Sequence, residues 1–176
     1  CDVFWLPDTF GYSSQLPQIM LQSHAKYFLT QKLSWNQTNK WPYSTFLWEG
    51  LDGSAVITHF PPGETYTGRA DVPQLLKTEK NNKDKDRCHK GLLLFGHGDG
   101  GGGPQVQMLE RIRRMSNITA RPSLRQDTPS EFFQLCESDR DKLLSWNGEL
   151  YFELHRGTYT TQAMNKLWNR RSEIVL

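Results

Sequence analysis

Cysteine is scarce in this chain: three among 176 residues, at positions 1, 88 and 136. They form no C-x-x-C pair and leave one over, which excludes a disulfide framework and a thiolate zinc knuckle and favours a reducing compartment. Excess charge of one sign is missing as well. The 21 Lys and Arg against 19 Asp and Glu leave +2, too little for a strongly basic nucleic-acid binder. No apolar run approaches the roughly 20 residues of a membrane span, and the mean hydropathy is −0.66. An aromatic content of 12% excludes a disordered tail, which is poor in such residues. There is no internal repeat, no low-complexity tract apart from one glycine run, and no signal-peptide pattern at the start. Two glycosylation sequons occur, Asn36-Gln37-Thr38 and Asn117-Ile118-Thr119, but so short a pattern arises readily by chance.

What remains is the profile of a globular protein long enough for one core. The ends are unusual. Cys1 leads straight into Val3-Phe4-Trp5-Leu6, and the chain stops on Ile174-Val175-Leu176. Native termini are mostly polar, so these ends predict an internal piece of a longer protein.

Strand-like and helix-like patterns alternate. Cys1 to Leu6 reads as a buried strand, and Leu16 to Ser23 as a helix with Pro17 in its first turn. Tyr27-Phe28-Leu29 is the next short strand. Thr45 to Trp48 and Ala55 to Phe60 flank Leu51-Asp52-Gly53-Ser54, the signature of a hairpin. Val72 to about Lys80 predicts a helix, followed by the solvated charge run Lys83 to Arg87. Gly91 to Phe95 reads as a fully apolar strand of the kind covered on both faces. Pro104 to Met115 predicts an amphipathic helix with a solvated basic face of Arg111, Arg113 and Arg114. Thr128-Pro129-Ser130-Glu131 is a capping box that starts a helix running to about Cys136. Leu150 to Leu154 is the last strand, and a helix follows from about Thr161. The order is that of an α/β domain with a mostly parallel sheet.

Six of the fourteen glycines lie in Gly96 to Gly103, directly after the most apolar run. Gly96-His97-Gly98-Asp99-Gly100-Gly101 satisfies the dinucleotide pattern G-x-G-x-x-G, but no acidic ribose-binding residue stands about 20 positions on. Side chains that act chemically gather at the carboxyl ends of parallel strands. Asp8, Asp99 and His155 each follow an apolar run closely, which predicts a common rim. Each also has a plain structural reading: an Asx turn for Asp8, a helix-start carboxylate for Asp99, a hydrogen-bonded loop residue for His155. Two carboxylates and an imidazole are the parts of a metal-assisted hydrolase or a two-carboxylate glycosidase. His24, His59, His89 and His97 read as structural or solvated.

Five ordered blocks carry a resemblance: Phe4 to Tyr12 (FWLPDTFGY), Trp48 to Ser54 (WEGLDGS), His59 to Gly63 (HFPPG), Gly96 to Pro104 (GHGDGGGGP) and Glu153 to Thr161 (ELHRGTYTT). Together they resemble the α-mannosidases of glycoside hydrolase family 38, in the cytosolic (class 2C) subgroup, over effectively the whole chain. The resemblance implies a partial (β/α)7-type barrel with mostly parallel strands over 1–150, followed over 151–176 by the last strand, an active-site loop and the first helix of a helical bundle. It implies zinc-dependent, retaining hydrolysis of terminal α-mannosides of oligosaccharides in the cytoplasm, with cobalt as an alternative metal. Asp8 matches the family's nucleophile, which is also a zinc ligand; His155 matches a later zinc ligand; Asp99 is assigned as general acid/base. Trp48, Asp52, Tyr66 and Tyr159 are candidate sugar contacts. The family's other two zinc ligands lie in an H-x-H-x-D block that this sequence lacks, which is expected upstream in the rest of the same polypeptide. No nucleic acid or membrane is expected as a partner, and a homo-oligomer is compatible with the resemblance. The rival readings are a metal-dependent carbohydrate deacetylase on a similar barrel and a non-catalytic carbohydrate-binding fragment.

Overall fold

The computed structural model describes residues 1–116, 122–155 and 163–175. Its centre is a five-stranded sheet of β1 (Val3–Trp5), β2 (Tyr27–Leu29), β3 (Thr45–Glu49), β4 (Ala55–His59) and β5 (Ser145–Asn147), in the order β1-β2-β4-β3-β5. Three of the four pairings are parallel; the β3–β4 hairpin is antiparallel. The helices are α1 (Leu16–Gln22), α2 (Val72–Asn81), α3 (Val106–Met115), α4 (Pro129–Glu137) and α5 (Ala163–Val175). The α/β class and the mostly parallel sheet therefore agree with expectation.

Alternation along the strands makes two cores. One residue set, Val3, Tyr27, Leu29, Leu47 and Ile57, meets Phe132, Phe133 and Cys136 of α4. The alternate set, Phe4, Phe28, Phe46, Trp48 and Val56, packs on the other face with Met20 of α1. All three residues of β2 are buried, as a central strand covered on both faces requires. The helix starts follow from sequence: Asp71 accepts the Gln74 amide at 3.0 Å ahead of α2, and the Thr128–Glu131 capping box ahead of α4 is complete.

Three expectations need correction. β1 is an edge strand rather than a buried one, and Trp5 is 41% exposed. Gly91 to Phe95 forms no strand; only Phe95 bridges, in parallel, to Gly68. Side chains bind the backbone in and just before it instead: the Leu92 amide donates to His59 Nε2 (3.2 Å), and Asn82 Nδ2 donates to the carbonyl of the preceding Lys90 (3.3 Å). The last strand lies at 145–147, paired with β3, and not at Leu150 to Leu154. Gly148, at φ +129°, turns the chain in a conformation open to glycine, after which Leu150 bridges Tyr12.

Candidate active site

β1, β2 and β4 run in one direction, so the loops leaving them emerge at one edge of the sheet. The Asp8 loop is tied there at several points. The Leu6 amide donates to the Leu29 carbonyl (3.0 Å) and Gln31 Nε2 to the Pro7 carbonyl (2.5 Å). The Tyr12 hydroxyl donates to the Leu6 carbonyl (3.0 Å) and lies 2.6 Å from Thr30 Oγ1. Asp8 is thus held between residues whose backbone is anchored on β2.

Asp8 Oδ1 lies 2.5 Å from Lys32 Nζ; the Asp8 side chain is 49% exposed, that of Lys32 only 4%. The buried ammonium sits 3.6 Å from the Trp35 ring centroid and 5.0 Å from that of Phe10, a cation–π arrangement that offsets part of its desolvation. His155 packs among the same rings, 4.4 Å from Phe10, 5.5 Å from Phe152 and 6.3 Å from Trp35. Lys32, which pairs with Asp8, and His155 thus share one group of aromatic rings. His155 has φ +58°, a strained conformation for a non-glycine residue.

Asp99 reaches the same edge by another route. The Gly96 amide donates to the Gly68 carbonyl (2.9 Å), which hangs the glycine loop on the segment after β4. The Tyr66 hydroxyl then donates to Asp99 Oδ1 at 2.9 Å. A Cβ on Gly98 would lie 2.7 Å from Thr67 Cγ2 and 3.1 Å from the Tyr66 ring, so this close approach requires glycine. The hydrogen bond to Asp99 and burial, with the negative charge of Asp8, raise the Tyr66 phenol above its ordinary value. Of the two carboxylates, Asp99 is the one hydrogen-bonded to this phenol.

The remaining candidates divide. Trp48 is fully buried, its indole N–H donating to the Gly148 carbonyl at 2.8 Å. Asp52 binds the Ser54 amide and hydroxyl, both at 2.9 Å, in the hairpin turn at the opposite edge of the sheet. Neither is brought to the site. Tyr159 lies outside the described residues. His59 is buried and accepts the Leu92 amide, a structural role.

A carboxylate and an imidazole are donors that zinc accepts, and half of Asp8 remains open. Among the described residues, however, no three His, Cys, Asp or Glu side chains converge, whereas a zinc site needs three or four. The described residues do not by themselves make a metal centre.

Residues 1–149 match the model of the glycosyl hydrolases family 38 N-terminal domain. The chain belongs to this family. It is 54% identical over its whole length to "Alpha-mannosidase G" of Dictyostelium discoideum and 53% identical to "Alpha-mannosidase 2C1" of Homo sapiens, spanning 16% and 17% of those proteins. In fold it is similar to the crystal structure of an alpha-mannosidase from Enterococcus faecalis V583. The TM-score is 0.63 at 17% identity, over 85% of this chain and 18% of that one.

Two residues of this family 38 domain escaped the sequence reading. Lys32 looks like an ordinary surface lysine until the aromatic rings from three separate segments enclose it. Glu153 accepts the amides of Gln37, Thr38 and Asn39 at 2.5, 2.8 and 2.7 Å, and these amides hold its carboxyl below the usual range. Asn36 completes the clamp: its Oδ1 accepts the Glu153 amide (3.0 Å) and its Nδ2 donates to the Tyr151 carbonyl (3.1 Å). Asn36 is 2% exposed, so the first sequon presents no free amide to a glycan in the folded domain. The second sequon lies outside the described residues.

Proposed function

We propose that this domain is part of a retaining α-mannosidase that hydrolyses terminal α-mannosides of oligosaccharides in the cytoplasm. Asp8 is the nucleophile and Asp99 the general acid/base. The observation that carries the reading is the placement of Asp8, in the loop after β1, and of Asp99, held by the Tyr66 hydroxyl, at the edge where the parallel strands end. A retaining glycosidase needs one ionised carboxylate at the anomeric carbon and one protonated carboxyl at the leaving oxygen. The Lys32 ammonium, 2.5 Å from Asp8 Oδ1, holds the carboxylate in place as the attacking group. Tyr66 fixes the orientation of Asp99 toward the leaving group. Tyr159 remains a candidate sugar contact.

Zinc is proposed as the resident ion, with cobalt as the alternative, and Asp8 and His155 as two of its ligands; the others come from the rest of the polypeptide. The sheet is proposed as one side of a (β/α)7-type barrel over 1–150, with α5 the first helix of a helical bundle within 151–176. Among the described residues, no helix is long and apolar enough to cross a membrane.

The test is kinetic, in the full-length protein. Asp8→Asn should lower kcat for an aryl α-mannoside by at least about 10³-fold, and Asp99→Asn should cost about 10²–10⁴-fold on mannobiose. An activated aryl leaving group should rescue Asp99→Asn and not Asp8→Asn. Wild-type turnover in Asp8→Asn would remove the nucleophile assignment, and acetate rather than mannose as product would favour the deacetylase reading.

A further inference from the structure

Two of the three cysteines meet in the fold although they stand 48 residues apart in the chain. Cys88 Sγ lies 3.8 Å from Cys136 Sγ, and both residues are buried in the core that α4 makes with β2 and β4. Neither sulfur belongs to the Asp8–Asp99 edge, and both are free thiols. A disulfide needs an S–S distance of about 2.05 Å, so the sulfurs would close by about 1.7 Å. That is small beside the arc each sulfur sweeps on rotation about its Cα–Cβ bond. The two thiols are also made unequal by their surroundings. A hydrogen bond from Cys136, with the amide and the ammonium of Lys90, holds the Cys88 thiol below its ordinary value, whereas the same bond and burial push Cys136 up. A thiolate beside a lysine is the reactive form of cysteine. Both sulfurs lie one residue beneath the surface: His89 beside Cys88, and Leu135 and Glu137 beside Cys136, are exposed. Between Asn81 and Val106 the chain forms no helix or strand, and irregular segments open locally more readily than core strands, which gives an oxidant little larger than water a way in.

We propose that Cys88 and Cys136 form a reversible redox lock, a dithiol that a peroxide converts to an intramolecular disulfide joining α4 to the segment that leads into the glycine loop. Cys88 Sγ, as thiolate, attacks one oxygen of hydrogen peroxide; the O–O bond breaks and hydroxide leaves. Cys136 Sγ then attacks the sulfenic sulfur, the S–O bond breaks, and the hydroxyl departs with the Cys136 proton as water. Two thiols are thereby oxidised by two electrons and one peroxide is reduced to two waters. Under reducing conditions the pair rests as two thiols, which agrees with so low a cysteine content. This inference is independent of the glycosidase reading.

The test uses the full-length protein, treated with a small excess of hydrogen peroxide, then unfolded in N-ethylmaleimide and digested with trypsin without reductant. Mass spectrometry should find peptide 88–90 joined to peptide 126–140, and dithiothreitol before unfolding should release it. In Cys136→Ala the link is absent and Cys88 should accumulate as the sulfenic acid, which dimedone traps. Hydrogen exchange of α4 and of residues 82–92 should slow about 10-fold or more in the oxidised protein, as a cross-link restricts local opening. Recovery of both peptides in their maleimide-blocked form after peroxide would overturn the lock, as would a link from Cys88 to a cysteine elsewhere in the polypeptide. Formation of the link with exchange unchanged would also overturn it, since the bond would then join segments that it does not restrain.

Discussion

At the scale of single residues, the site depends on a charge pair whose buried member is Lys32 and whose carboxylate, Asp8, is half open to solvent. Removing Lys32 therefore acts on how Asp8 is held rather than through a buried, unpaired carboxylate. Lys32→Met would leave Asp8 without its counter-charge and empty the space over Trp35. The expected result is a fall in kcat for an aryl α-mannoside of about 10²-fold, the scale set by misplacing a reacting group. Lys32→Arg keeps the charge and can stack on Trp35, so it should recover part of the loss. Steady-state kinetics of the two variants decide the matter; wild-type kcat in Lys32→Met would show that Asp8 does not need its partner. Asp8 and His155 were legible because each follows an apolar run and sits in a specific block. Lys32 was not, since its burial is created by Phe10 and Phe152, far from it in sequence, together with Trp35.

At the scale of elements, the capping box of α4, the hairpin and the short Tyr27–Leu29 strand were legible because their determinants are local. The Gly91 to Phe95 segment was not, because an apolar run looks alike whether its backbone pairs with a strand or with side chains. Its partners, His59 and Asn82, lie 33 and 8 residues away in the two bonds they make. The glycine loop that follows sets the position of Asp99 through one contact. Gly98→Ala would push its Cβ against Thr67 and the Tyr66 ring and shift the loop by some tenths of an ångström or more. It should lower kcat/KM about 10-fold or more, whereas Gly103→Ala, with no atom within 4 Å of the added Cβ, should cost far less. Equal losses in the two variants would mean that the Tyr66 contact does not position Asp99.

At the scale of the whole molecule, the parallel direction of β1, β2 and β4 gathers the loops that follow them at one edge, which accounts for Asp8; Asp99 and His155 follow segments that form no strand and are placed by loop contacts the sequence did not show. Charge buried in that architecture also sets how it responds to acid. His59, enclosed between β3, α4 and the segment after Lys90, is held neutral by burial, its pKa lowered from the ordinary 6.5 to about 3. The unfolded chain takes up a proton near pH 6.5 while the folded one does not, so the contribution is whole above 6.5 and is lost as pH falls toward 3. The slope is at most about 1.4 kcal/mol per pH unit. Asp139, bound by Lys142 and Lys90, is lowered to about 2, so its contribution, about 1–2 kcal/mol, is present above pH 4 and lost between 4 and 2. The two groups predict acid destabilisation in stages, the first near pH 6 and the second below 4. Hydrogen exchange of the β4 and α4 amides in the full-length protein, corrected for intrinsic rates, should show protection declining from pH 6.5 downward. His59→Phe leaves the Leu92 amide and Thr45 hydroxyl unpaired and should cost about 2–4 kcal/mol at pH 7, yet its protection should vary less between pH 6.5 and 4.5. Asp139→Asn should keep the first decline and lose the second. A wild-type profile flat from pH 7 to 5 would show that the buried imidazole does not govern the first stage.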